Sequence, residues 1–311
     1  MANGLTPNGL IPNGLIPNGS ITDVPGFTVG HWTGTGTGVT VLLTPEGTTG
    51  SGEVRGGAPA TREFALLEPS RTITQVDAVL FSGGSAFGLA AADGVMTELA
   101  AAGRGVATPA GPVPIVLAAS LFDLVASGGE HPGPEAGRIA YAEAVARETG
   151  VALSRGPVGA GRGATLGKWR GSEYAVPGGL GTASAKVGDA TIGALAVVNA
   201  LGDVIGVDGG MLAGSTAPAG SESFPAPVLA AGATTLVVLA TDARATKTDC
   251  FLLAQSGHHG LALAIRPSHT RYDGDVVIGL SSGTVDAHLD RLRIAATDVV
   301  AAAIRDAVGQ T

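Results

Sequence analysis

Residues 230–242, AAGATTLVVLATD, constrain the fold more than any other stretch of the chain. Ala230, Ala231, Gly232 and Ala233 form a small-residue tract that runs into Thr234 and Thr235. The next five residues, Leu236 to Ala240, are apolar and include two valines, and Thr241 and Asp242 end the run. A short run of this kind reads as a buried strand. A hydroxyl residue therefore stands at the mouth of a strand, behind a linker small enough for the backbone to bend. If the chain were cut before Thr234, that threonine would gain a free α-amine beside its own hydroxyl. Such an amine is a usable general base near neutral pH, and threonine with an N-terminal amine is a known nucleophile–base pairing. A solvated turn leading into a core strand is the simpler reading of the same residues.

Composition says how such a strand is packed. Aromatic residues make up only 4% of the chain against 45% hydrophobic residues, so the core is built of Ala, Val and Leu. The 311 residues include 50 glycines, which implies many tight turns and closely approaching elements. A net charge of −8 argues against a nucleic-acid partner, which needs a basic footprint. The single Cys250 excludes an intrachain disulfide and suits a reducing compartment. No apolar run reaches membrane-spanning length, and the N-terminus lacks the pattern of a signal peptide. The expectation is a soluble cytoplasmic homo-oligomer with no membrane partner.

Residues 3–17 repeat NGLTP, NGLIP and NGLIP, a pattern of turns that prevents helix. Residues 1–20 are expected to be a flexible extension and 21–311 a single domain. Alternation over 28–43 with a GTGTG centre predicts a hairpin, and Glu53 to Pro59 another strand and turn. Arg55 and Arg62 either bind a carboxylate ligand or pair with acids such as Glu53 and Glu63. Residues 76–81 predict a strand, followed by a glycine-rich turn and a helix to Ala102. That turn either packs closely or holds an anion. Residues 113–126 predict a buried element, and 132–148 a loop and helix stopped by Gly150.

Residues 155–168, RGPVGAGRGATLGK, fail as a phosphate loop, because Arg162 and Trp169 occupy its required glycine and hydroxyl positions. Lys168 is then a charge held by a glycine loop, for a site or simply exposed. Residues 178–187, 190–199 and 204–207 read as a meander. Asn199 ends its second strand, where an amide can donate to a developing oxyanion or cap a turn. Residues 218–227 form a linker candidate. A helix over 247–260 is expected to stop at Gly257–Gly260, with His258 and His259 at an exposed end and no metal bound. Asp273 and Asp275 flank Gly274 just before a strand at 276–280. They form either an acid pair able to orient an amine or hydroxyl, or an Asp-Gly turn. Residues 279–283 match a G-x-S-x-G nucleophile motif. Its required histidine is missing, because the only downstream one, His288, lies too near. The chain ends in an amphipathic helix over 284–308.

The blocks VRGGAP, VLFSGGSAFGLAAADGV, GPVGAGRGA, GGLGTAS, ATTLVVLATDA and GLALAIRPSHTRYDGDVV occur in this order. Together they resemble the DmpA-like aminopeptidase family, over nearly the whole chain from about Asp23 to Leu280. That family includes L-aminopeptidase/D-amidase, β-peptidyl aminopeptidase, pantetheine hydrolase and nylon-oligomer hydrolase types. The resemblance implies an α/β fold, a four-layer αββα sandwich like that of N-terminal nucleophile hydrolases. It implies a precursor that cuts itself between Ala233 and Thr234, giving an α chain 1–233 and a β chain 234–311. Thr234 is then the nucleophile and Asn199 the oxyanion asparagine. Lys168 matches a lysine near the nucleophile. Asp273 and Asp275 match the acid pair of the nylon-oligomer hydrolase type. The β-peptidyl type carries Ser and Glu there, so this chain leans away from it. Phe122 stands where some relatives carry a catalytic tyrosine.

The expected function is hydrolysis of a small peptide or amide through an acyl-enzyme, without metal or organic cofactor, by a tetramer of αβ units. Two alternatives remain at this stage. One is an acyltransferase of the ornithine-acetyltransferase type. The other is a scaffold that never cuts itself.

Overall fold

The computed structural model describes residues 19–147, 151–224 and 232–309. The NGLxP repeats, Gly150 and part of the linker candidate lie outside them. The strands β1 (Thr28–Thr33) and β2 (Gly38–Leu43) form the expected glycine-turned hairpin. They are followed by β3 (Thr49–Val54), β4 (Thr61–Arg62) and β5 (Ala78–Ser82). Helix α1 (Ala91–Ala101) and the small hairpin of β6 (Val106–Thr108) and β7 (Gly111–Val113) lead to β8 (Val116–Ser120) and α2 (Pro134–Ala146). A short pair, β9 (Thr165–Leu166) and β10 (Val176–Pro177), precedes β11 (Gly179–Val187) and β12 (Ala190–Asn199). Then come β13 (Asp203–Ile205) and β14 (Met211–Ala213). The last elements are β15 (Thr234–Ala243), α3 (Lys247–Ala264), β16 (Ile265–Arg266), β17 (Val276–Val285) and α4 (Leu289–Asp306).

Two five-stranded sheets carry the fold, in the orders β1-β2-β5-β8-β4 and β11-β12-β15-β17-β3. Side chains alternate along each strand, and both faces of each sheet are covered. Val29, Val79 and Leu117 of the first sheet meet Leu195, Leu236 and Ile278 of the second. The outer face of the first sheet, through Val41, Leu80 and Val116, packs on Val95 and Leu99 of α1 and Ala140 of α2. The outer face of the second, through Val198, Val237 and Val277, packs on Leu253 of α3 and Val299 of α4. Three separate cores between four layers make the αββα sandwich. Glycine permits this spacing where a helix lies on a strand. A Cβ on Gly30 of β1 would sit 2.2 Å from the carbonyl oxygen of Ala140 in α2.

Several local expectations need correction. The meander ends after β12. β13 leaves the main sheet for a side sheet with β14 and β16, and the neighbour of β12 is β15. α3 does not stop at Gly257–Gly260 but runs to Ala264. His258 is consequently fully buried instead of exposed, and burial pulls its pKa down to about 4. Residues 279–283 lie within β17, which continues to Val285, so the G-x-S-x-G match is strand and not an elbow. α4 therefore starts at Leu289, with His288 as its N-cap. Arg55 pairs with Glu53 as expected, but Arg62 pairs with Asp93 of α1 and not with Glu63. Among the described residues no helix is long and apolar enough to cross a membrane.

Candidate active site

Thr234 is the first residue of β15 and Asn199 the last of β12, and antiparallel pairing sets them directly opposite each other. Alternation turns both side chains toward the layer between the sheets, on the side of Leu236 and Val197. Both are buried. On its other side β15 runs parallel to β17, with Leu236 level with Val276. This register brings Asp273, Gly274 and Asp275 alongside Ala233, Thr234 and Thr235, and Ala233 bridges Asp273. Residues some forty positions apart thus meet because a crossover helix, α3, joins two parallel strands.

The Thr234 hydroxyl donates to the carbonyl oxygen of Ala233 at 2.5 Å. The Gly274 N–H donates to the same oxygen at 2.9 Å. Glycine is required at 274, since a Cβ there would lie 2.7 Å from Thr234 Oγ1. Upstream, Gly232 has a φ of +35°, and its Cα lies so near the Phe122 ring that a Cβ would come within 2.5 Å of it. Phe122 therefore fixes the approach of the segment to Thr234, with an aromatic wall and no hydroxyl.

Asp275 accepts from the Thr235 N–H at 2.8 Å through Oδ1. Its Oδ2 accepts from the His269 N–H at 3.0 Å and lies 2.9 Å from His269 Nδ1. Asp273 Oδ2 accepts from the Thr270 N–H and hydroxyl at 2.8 and 2.6 Å, and Oδ1 from the Leu201 N–H at 3.4 Å. Burial, helped by the neighbouring Asp275 carboxylate, raises the Asp273 pKa to about 6.

Lys168 is buried, not exposed, and its Nζ donates to three oxygens. These are Asn199 Oδ1 at 2.9 Å, the Asn199 carbonyl at 3.2 Å and the Gly232 carbonyl at 2.8 Å. Burial pulls its pKa down to about 7, against the opposing pull of Asp273 and Asp123. Asn199 Oδ1 also accepts from the Thr165 N–H at 3.0 Å, which leaves Nδ2 as the donor side. That Nδ2 lies 3.3 Å from both the Gly232 and the Phe122 carbonyl oxygens. Beside Thr234 opens a cavity of about 190 Å³, lined among others by Ser85, Ser120, Phe122, Arg271 and Tyr272.

The structure thus brings Thr234, Ala233, Asn199, Lys168, Asp273, Asp275 and Phe122 into one place. Gly274, His269 and Thr270 also belong to it, although no role for them follows from sequence reasoning. The signal for them lay in the HTRYDGD stretch itself, where a histidine and a threonine precede the two acids.

A model of peptidase family S58 matches residues 19–311. The chain belongs to peptidase family S58. An uncharacterized aminopeptidase of Mycobacterium tuberculosis is 42% identical over 86% of this chain and 82% of its own length. A 6-aminohexanoate-oligomer endohydrolase of a Kocuria species is 29% identical, over 85% of this chain and 75% of its own. Among solved structures, a Burkholderia β-aminopeptidase superposes with a TM-score of 0.74 at 22% identity, covering 96% of this chain and 88% of that one. The L-aminopeptidase D-Ala-esterase/amidase of Ochrobactrum anthropi, a variant of the Ntn hydrolase fold, gives 0.71 at 19% identity over the same shares. Family membership and the aminopeptidase relatives make the chain a hydrolase of peptide or amide bonds. The resemblance drawn from the six sequence blocks is borne out, and so is the layered fold.

Proposed function

We propose that the chain is a self-cleaving amide hydrolase whose nucleophile is Thr234. One observation carries this reading: the Thr234 hydroxyl lies against the carbonyl of its own upstream peptide bond, whose oxygen a second donor, Gly274 N–H, already holds. In the first reaction Thr234 Oγ attacks the Ala233 carbonyl carbon. The hydroxyl proton passes to the Thr234 nitrogen as the C–N bond breaks, which leaves an ester. Water then hydrolyses the ester to an Ala233 carboxylate, and the Thr234 hydroxyl and a free α-amine remain. In the second reaction that amine takes the hydroxyl proton as Oγ attacks a substrate amide, and it returns the proton to the leaving amine. Water releases the acyl group.

The other residues fit these two steps. Asp275 holds the Thr235 N–H and so fixes the start of β15. Departure of the Gly232 carbonyl frees Asn199 Nδ2 and one Lys168 N–H at a single point, where they can hold a substrate oxyanion. Lys168, with a pKa of about 7, lies in the range suited to proton transfer at neutral pH. Small Ala233 and the absence of a hydroxyl on Phe122 are compatible with both steps. Association of the cut αβ units into a tetramer belongs to the same proposal. Exposed Met211 and Leu212 on β14, beside exposed Val207, offer apolar surface for it.

Intact-mass measurement tests the reading. The wild type is expected to give fragments 1–233 and 234–311, and Thr234→Ala to remain one chain of 311 residues without activity. A wild type that stays uncut after prolonged incubation yet hydrolyses amides would refute it.

A further inference from the structure

We propose that Arg271 binds a carboxylate on the acyl portion of the substrate, so that the site takes the half-amide of a dicarboxylic acid. This inference rests on the amide-hydrolase reading and adds to it the charge of the substrate. It starts from the cavity beside Thr234. Gly232 and Ala233, which hold the acyl side of the scissile bond in the uncut chain, border this cavity, so it is the acyl side that it receives. Its polar lining residues are Thr234, Arg271, Tyr272, Ser85 and Ser120, all of which carry side-chain donors. No carboxylate lines it among the described residues.

Arg271 is set up for such a contact. Its guanidinium lies over the Tyr272 ring, 4.8 Å from the centroid, and Nη2 donates to the Tyr272 hydroxyl at 2.6 Å. These contacts set the exposed guanidinium beside Tyr272 at the cavity, from where its planar fork can meet a carboxylate by two parallel bonds. Arg55 and Arg62 are neutralised by Glu53 and Asp93, whereas among the described residues Arg271 has no carboxylate partner. Tyr272 also packs against the cluster of Leu201 and Ala233, which brings the pair to the acyl side of the scissile bond.

A substrate with a free ammonium, as an aminopeptidase takes, would need an acceptor here. None of the three nearby carboxylates lines the cavity. Asp275 holds the Thr235 N–H and His269. Asp273 holds Thr270 and the Leu201 N–H. Asp123 takes the Gly84 N–H at 2.6 Å through Oδ1, and its Oδ2, which has no hydrogen-bond partner among the described residues, lies against Gly83 and Gly163 outside the cavity lining.

The test uses fully self-cleaved protein and three sets of p-nitroanilides matched in acyl length. One set is succinyl, glutaryl and adipyl, one neutral acyl, and one ω-aminoacyl. The best half-amide is expected to exceed its neutral counterpart at least about tenfold in kcat/KM. Arg271→Gln should abolish that margin by raising the KM of the half-amide, and Tyr272→Phe should narrow it. Preference for the ω-aminoacyl set, or a half-amide margin that survives Arg271→Gln, would overturn the inference and leave the amide hydrolase intact. Failure to cleave all three sets would overturn the hydrolase proposal and this inference with it.

Discussion

Lys168 is a buried amine with three oxygen acceptors, in a site that also buries Asp273. Its folded pKa of about 7 lies below its ordinary value near 10.5. Between those two pH values the unfolded chain carries a proton that the folded chain does not, so stability rises with pH across that window. In the Thr234→Ala chain, which keeps the Gly232 carbonyl in place, we expect unfolding free energy to climb from pH 7 to pH 10. Lys168→Met in the same background should flatten that climb by a few kcal/mol, on the order of the shift involved. Denaturant titrations at several pH values check it, and an unchanged slope would mean that Lys168 is charged throughout. Asn199 gives a second prediction at this scale. The oxygen of the proposed self-cleavage step, that of Ala233, is held by Gly274 N–H, whereas Asn199 Nδ2 meets the Gly232 oxygen one residue upstream. Asn199→Ala should therefore still cut itself, within about tenfold of the wild-type rate, yet lose about 100-fold or more in substrate kcat, as removal of one oxyanion donor does. The seven site residues named from the sequence are polar groups, or their immediate neighbours, at strand ends and in glycine turns. Type and place pointed to Thr234, Asn199, Lys168, Asp273 and Asp275, whereas Ala233 and Phe122 were named through the family resemblance. His269 and Thr270 escaped because each works only by holding another residue, and the choice of Gly274 depends on where Thr234 Oγ lies.

Strands were easier to read than their partners. The residues of β11, β12 and β15 follow from apolar runs, but a buried run looks the same from whichever side it is paired. Nothing in residues 204–207 says that β13 turns away to meet β16 and leaves the edge of β12 to β15. Glycine misled for a related reason. In α3, Gly257 and Gly260 look like a stop, yet they are where the helix presses on its neighbours. A Cβ on Gly257 would lie 2.7 Å from Val277, and one on Gly260 would lie 2.2 Å from the carbonyl oxygen of Thr297 in α4. The tight packing implied by the glycine content and the helix stop implied by local sequence are competing explanations of one residue, and only the neighbours decide between them. We expect Gly260→Ala to keep the helix, because alanine favours it, but to push α3 and α4 apart. Overpacking of this kind costs about 1–3 kcal/mol. A chemical denaturation midpoint lowered without loss of helical circular dichroism would match this, and an unchanged or raised midpoint would contradict it.

The two halves of the molecule repeat one plan. A hairpin, a third antiparallel strand, a helical crossover to a parallel strand and a closing helix make up β1-β2-β5-α1-β8-α2, and again β11-β12-β15-α3-β17-α4. The correspondence reaches single residues. Gly30 of β1 lies under Ala140 and Ala144 of α2, and Gly181 of β11 lies under Ala303 and Ala307 at the end of α4. The plan explains why a cut before Thr234 need not release anything. The cut falls at the edge of β15, and β15 is the middle strand of its sheet, bonded to β12 on one side and β17 on the other. The fragment from 234 onward carries β15, α3, β17 and α4. Its side chains Val237, Leu239, Leu253 and Val299 share one core with Ile192, Ala194 and Val198 of the fragment before the cut. Each such side chain buried contributes about 1.5–3 kcal/mol, so the two pieces hold together far more strongly than one peptide bond's worth of chain entropy drives them apart. We therefore expect the fragments to co-elute under native conditions and to separate only in denaturant. They should unfold in one transition that depends on protein concentration, unlike that of uncut Thr234→Ala. A β fragment that elutes alone would mean that the shared core does not hold β15 in place, and with it the position of the threonine at its mouth.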